Sequence, residues 1–168
     1  MSYKHIPFGT PEKFNVVVEI QKGGTVKYEY DEEWHEIKVS AIFKNGFCFP
    51  FDYGYIPETR GGDGDHLDVF VLGSQSVQMG TVAECRPIGM IELIDRGEQD
   101  DKVLAIPLND LGSENIKTLE DLPFDYKTIF EEFFKELAIQ RNKTMEIRGY
   151  KDAKTAMQEL ELAHKNFK

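Results

Sequence analysis

The sequence predicts an α+β fold that is mainly β: a small antiparallel β-barrel, closed or partly open, with two α-helices flanking it near the C-terminus. Three observations carry this. Short β-branched runs separated by turn residues fill the first two thirds of the chain. The apolar residues of the last third switch to helical spacing. The length of 168 residues suits one domain, 1–168, with a real core and little room for a second.

Residues 14–20, Phe-Asn-Val-Val-Val-Glu-Ile, read as a strand. Lys22-Gly23-Gly24 supplies turn chemistry, and Thr25 to Tyr30 alternates as the return strand of a hairpin. A strand is expected from Glu36 to Phe43, before a turn at Asn45-Gly46. Val69–Leu72, Val82–Ile94 and Val103–Ile106 follow as strands. Ile129, Phe130, Phe133, Phe134 and Leu137 fall at helical spacing and predict a helix over 124–139. A strand is expected at 144–148. Asp152 then caps a final helix whose stripe is Ala153, Ala156, Met157, Leu160 and Ala163.

Twenty basic against thirty acidic residues give a net charge of -10. That balance argues against nucleic acid and anionic membranes as partners, since both need an excess of Lys and Arg. The acid excess leaves a solvated surface or a carboxylate set gathered around cations. Cys48 and Cys85 each lie in an apolar stretch with no CxxC pairing, so buried, reduced thiols are expected. No stretch is apolar and long enough to span a bilayer, and Met1 to Pro7 holds no apolar run of signal-peptide length. The chain reads as cytoplasmic.

The acids are not evenly spread. Asp63-Gly64-Asp65-His66-Leu67-Asp68 places three carboxylates within six residues, with Gly61 and Gly62 ahead and a strand behind. Like charges this close raise each other's pKa unless a cation intervenes. Mg²⁺, Mn²⁺ and Ca²⁺ all take oxygen ligands. The spacing is not that of an EF-hand, and a solvated acidic turn remains open for the run alone. A second acidic patch is Asp95, Glu98, Asp100 and Asp101, followed by Lys102. Glu19 and Glu29 lie on the two strands of the expected hairpin, and Lys27 shares a face with Glu29. Lys27 and Glu29 form either a surface ion pair or the wall of a metal-phosphate site.

Taken in order, several pieces resemble the soluble, barrel-type inorganic pyrophosphatases. They are Val17-Val18-Glu19-Ile20, Val26-Lys27-Tyr28-Glu29, Tyr53-Gly54-Tyr55-Ile56, Asp63 to Asp68, Cys85-Arg86-Pro87-Ile88-Gly89 and Asp95 through Lys102. The resemblance covers roughly residues 5–165. It implies a five-stranded OB-like barrel and Mg²⁺-dependent hydrolysis of pyrophosphate, with Mn²⁺ or other divalent cations as substitutes. It further implies that Asp63, Asp68, Asp95, Asp100, Glu19 and Glu29 hold metals and that Asp65 activates the attacking water. Lys27, Tyr53 and Lys102 would contact phosphate oxygens. A homo-oligomer, with the hexamer favoured, is implied as well.

The chain departs from that family's pattern in its basic half. Ala41 stands where an Arg is usual, Phe49 where a Tyr is usual, Leu137-Ala138 where a Tyr-Lys pair is usual, and His66 where a Pro is usual. Lys44, Arg60, Lys135 and Arg141 either sit solvated on the surface or swing in to compensate, with Arg141 best placed after the first helix. His66 is open between a structural role and a contact to metal or substrate. The substrate is open too: pyrophosphate, another phosphate compound, or a phosphate and metal bound without turnover.

Overall fold

The computed structural model describes residues 2–167; Met1 and Lys168, the ends of the expected 1–168 domain, lie outside the description. Ten strands form, β1 (Gly9–Thr10), β2 (Lys13–Ile20), β3 (Val26–Asp31), β4 (Glu36–Ile42), β5 (Asp52–Ile56), β6 (Leu67–Val71), β7 (Val82–Asp95), β8 (Glu98–Gln99), β9 (Lys102–Pro107) and β10 (Met145–Asp152). Two helices, α1 (Tyr126–Arg141) and α2 (Ala153–Lys165), flank β10.

Five strands close a barrel in the order β2-β5-β6-β9-β7, because β7 pairs with both β9 and β2. β7 spans 14 residues and bends at a register shift between Pro87 and Gly89, which lets one strand serve both neighbours. The expected barrel is therefore present, but it is mixed: β6 and β9 run parallel. The chain between them crosses through β7, and a crossover of that length permits a parallel pair.

The interior explains what the pattern hid. Every residue of β5 is buried, but Asp52 and Gly54 interrupt its apolar run, so Asp52 to Ile56 is not expected as a strand from the sequence. Gly54 is required there: a Cβ would lie 2.0 Å from the Val17 carbonyl oxygen on β2. An aromatic cluster of Phe49, Phe70, Phe130, Phe133 and Phe134 fills the space between the barrel and α1. α2 packs Ala156, Leu160 and Ala163 inward and starts on Asp152, which accepts from the Thr155 N–H at 2.9 Å. Ala153 and Met157 are only half-buried.

Two expectations fail. β3 does not return along β2 but pairs with β4, forming a two-stranded arm separate from the barrel sheet. The turn at Gly23-Gly24 bonds instead to Phe49, in both directions, so the chain leaves the barrel layer there. Cys48 is exposed, because its neighbours Phe47 and Phe49 take the inward positions; Cys85 is buried, and both thiols are free. Among the described residues no helix is long and apolar enough to cross a membrane.

Candidate metal-phosphate site

The acidic loop between β5 and β6 holds its shape through its own backbone. Gly61 N–H donates to the Asp65 carbonyl at 2.8 Å, and the Asp63 carboxylate accepts from the Asp65 N–H at 3.0 Å. Gly64 turns at φ +86°, a conformation that suits glycine. Buried Thr59 ties the loop's end to β6 by accepting from the Leu67 N–H at 2.9 Å. Asp68 then sits one residue into β6, directly opposite Lys102 at the start of the parallel β9.

The β7–β8 turn delivers the second group. Arg96 (φ 51°) and Gly97 (φ 83°) make a tight two-residue reversal that sets Asp95 before the turn and Asp100 after it. Asp101 points elsewhere, accepting from the Leu93 N–H at 3.1 Å and the Gln99 amide at 2.7 Å, and Glu98 is exposed. The expected second patch thus divides into two acids in the site, one brace and one surface residue. The arm supplies the third group: Lys27 donates to Glu29 across the shared face of β3.

These elements meet around one cavity of about 260 Å³. Nine of the ten candidate residues line it: Lys27, Glu29, Tyr53, Asp63, Asp65, Asp68, Asp95, Asp100 and Lys102. The tenth, Glu19, lines an adjoining cavity of about 150 Å³ that shares Glu29, Tyr53, Asp65 and Asp68 with the first. A cavity of similar size elsewhere, floored by Phe51, Leu72 and Phe124, contains one carboxylate, Asp52. Asp52 is already used by Lys22 N–H, Ser76 hydroxyl and Val77 N–H.

The charges in the site are only partly balanced. Buried Lys102 donates to Asp68 at 2.7 Å and to Asp100 at 3.0 Å. Burial alone would lower the Lys102 pKa, but Asp68, Tyr53 and Asp100 more than offset it and hold the pKa well above the usual lysine value. Burial, with Asp68 adding to it, pushes Asp100 up to about 6 despite Lys102. Burial and then Asp68 likewise raise Asp65 and fully buried Glu19. Asp95 accepts from Lys143 at 2.7 Å through one oxygen. Its other oxygen is buried without a hydrogen bond; Arg96 Nε is 3.3 Å away, within ion-pair reach but out of line for a bond.

This donor set fits divalent cations. It is made of hard oxygens, carries more negative than positive charge, and holds carboxyls that burial drives toward protonation. Among the described residues no three acid, His or Cys side chains already converge on one point. The Lys102 ammonium lies between Asp68 and Asp100 and takes the position of a shared positive charge.

Arg141 lines the cavity as the expected compensating cation, although it is the last residue of α1 and does not follow the helix. Arg96 and Lys143 line it too and were missed. Arg96 was legible from the Asp95-Arg96-Gly97 turn. Lys143 was not, because it depends on Asn142 closing α1 in the left-handed conformation at φ 50°. Arg60 pairs instead with Glu32, while Lys44 and Lys135 do not line the cavity. Ala41 sits opposite Lys27 on the arm, and Phe49 and Leu137 contribute hydrocarbon to the cavity wall.

Residues 16–168 match the family model described as Inorganic pyrophosphatase. The inorganic pyrophosphatase of Saccharolobus solfataricus is 42% identical over 156 residues, 91% of each chain. That of Campylobacter jejuni is 37% identical over 161 residues, 94% of each. Among solved structures, the inorganic pyrophosphatase of Thermus thermophilus superposes with a TM-score of 0.86 at 29% identity, covering 98% of both chains. A structure described as an inorganic phosphatase, from Anaplasma phagocytophilum, gives a TM-score of 0.88 at 32% identity over 96% of both.

Proposed function

The chain belongs to the inorganic pyrophosphatase family, and from that premise we propose that it hydrolyses inorganic pyrophosphate to two phosphates with the help of bound divalent cations, Mg²⁺ foremost. The observation that supports this best is the convergence of nine family-matched side chains on one cavity, with Glu19 in the adjoining one.

In this reading Asp63, Asp68, Asp95, Asp100, Glu19 and Glu29 hold the metals. When bound, such ions lower the pKa of a water to make it a nucleophile and offset the charge on phosphate oxygens. Asp65 accepts the water's proton; its raised carboxyl lies closer to the working pH than an exposed aspartate, as a general base requires. Lys27, Lys102 and Tyr53 hold phosphate oxygens in line for attack. We place the protein in the cytoplasm, as a homo-oligomer with a hexamer favoured, acting on a small phosphate substrate without nucleic acid or membrane partners.

Phosphate release from pyrophosphate in Mg²⁺ tests the proposal. The Asp65→Asn variant is expected to lose about 10²–10⁴-fold in kcat. A wild-type rate no faster than that of the variant rejects it.

A second reading draws on the α1 side of the cavity, where Phe133, Phe134 and Leu137 offer hydrocarbon to a phosphate oxygen that needs a donor. It is a substituted diphosphate or phosphate ester as the preferred substrate. A substrate panel in which pyrophosphate is clearly preferred removes it.

A further inference from the structure

The arm formed by β3 and β4 shares no strand pairing with the barrel among the described residues. Yet it carries Lys27 and Glu29, which face Asp65 and Asp68 across the cavity. Beyond the backbone bonds of Gly23 and Gly24 to Phe49 at the arm's base, side-chain contacts hold the two halves of the site together. Two of them run through the residues flanking the acidic loop. Glu32, just past the end of β3, accepts with one oxygen from Arg60 at 2.8 Å, and His66 Nε2 lies 3.4 Å from that same oxygen. Arg60 precedes the loop, and its backbone N–H is fixed to the Ala163 carbonyl at the end of α2 at 2.9 Å. His66 is the loop residue between Asp65 and Asp68. Its ring lies 4.7 Å from Tyr55 of the barrel, which in turn stacks on Tyr30 of the arm at 5.0 Å and 12°. The Tyr30 N–H donates to Glu19 at 2.7 Å.

We propose that Glu32, Arg60 and His66 form a clasp that holds the arm against the acidic loop, making His66 a positioning residue for Glu29 and the loop acids, the carboxylates that would hold cations. It stands where the family's usual proline would stiffen the loop through its backbone, and it does so here through its side chain. The clasp orders the arm at folding, so that less ordering remains to be done when a cation binds. The 3.4 Å approach of His66 to Glu32 is a close contact and not a hydrogen bond, so His66 holds the arm through it together with its packing on Tyr55. The inference rests on the metal-phosphate reading of the site.

The test is calorimetric titration of the metal-free protein with Mn²⁺, without substrate, alongside thermal melts. Glu32→Gln lies on the surface and leaves the core untouched. It and His66→Ala are each expected to raise the Mn²⁺ Kd about 10-fold, the range seen when outer-shell partners of metal ligands are lost. The double variant should be no weaker than the weaker single, because both changes break one link. His66→Gln keeps a polar tip and should recover most of the affinity, whereas His66→Leu, of similar bulk, should stay as weak as His66→Ala; recovery by both marks a space-filling role and overturns the clasp. Kd values within twofold of wild type in both single variants overturn the clasp, as do additive effects. A wild type that takes up no Mn²⁺ overturns the metal reading itself, and the clasp with it.

Discussion

Replacing Lys102 with methionine removes the one buried ammonium that separates Asp68 from Asp100 while keeping the side chain's length and most of its volume. In the metal-free protein two carboxylates then face each other across a space in which the lysine is only 4% exposed. Breaking a fully buried charge pair costs about 3–5 kcal/mol. The Asp68 side chain keeps 26% exposure and that of Asp100 16%, so water screens part of the loss; about 3 kcal/mol is the expected value. For a chain of this size that corresponds to a fall in Tm of about 6–12 °C. A divalent cation changes the outcome. It supplies the missing charge between the two carboxylates without first displacing an ammonium, so the variant should gain more from it than the wild type. At a hundred times its Kd, Mn²⁺ stabilises any protein that binds it only when folded by about 2.7 kcal/mol; the variant's Tm should rise by more than the wild type's and close most of the gap. Thermal melts near neutral pH, in chelator and in excess Mn²⁺, measure both quantities. A loss below about 2 °C in chelator, or a gap that Mn²⁺ leaves unchanged, refutes the assignment of Lys102 as the stand-in charge.

Asp100 makes the site pH-dependent. Its folded pKa of about 6 lies above its unfolded value, so the folded metal-free protein binds more protons than the unfolded chain between about pH 4 and 6. The stability this contributes is complete below that window and is lost as pH rises through 6. Metal binding must release the same proton, so Mn²⁺ affinity should rise from pH 5 to 7; equal affinity at both, by calorimetry, refutes this. Gly54→Ala places a Cβ against the Val17 carbonyl and should cost about 4 kcal/mol or more, seen as failure to accumulate folded protein; a variant with wild-type denaturant midpoint contradicts the close approach of β2 and β5. Leu160→Ala empties a fully buried position on α2 and should cost about 2–5 kcal/mol in denaturant unfolding; a wild-type denaturant midpoint contradicts the packing of α2 on the barrel.

Most strands were legible as apolar, β-branched-rich runs bounded by turns, and both helices as apolar stripes, the second with Asp152 at its cap. β5 escaped because Asp52 and Gly54 break its apolar run, whereas the equally buried β9 carries the unbroken Val103–Ile106. The expected pairing of β2 with β3 failed because Gly23-Gly24 is compatible with any sharp turn, and only the bonds to Phe49 choose which one forms. Cys48 was misplaced for a related reason. An apolar stretch says that something is buried, and the register says which residue.

By itself the sequence determined the chemical character of the site. The density of carboxylates at Asp63, Asp65 and Asp68, and again at Asp95 and Asp100, pointed to cations over a solvated turn once it was read with its neighbours in order, since like charges brought close raise each other's pKa unless a cation intervenes. Tertiary structure alone decided which charges meet. Lys102 comes between Asp68 and Asp100 because β6 and β9 run parallel in register. Lys143 reaches Asp95 only because α1 ends in a left-handed turn. Glu29 faces the loop acids only because the arm departs from the barrel and is held back against it. Distances between residues far apart in the chain are fixed by packing and register, and no local pattern encodes them.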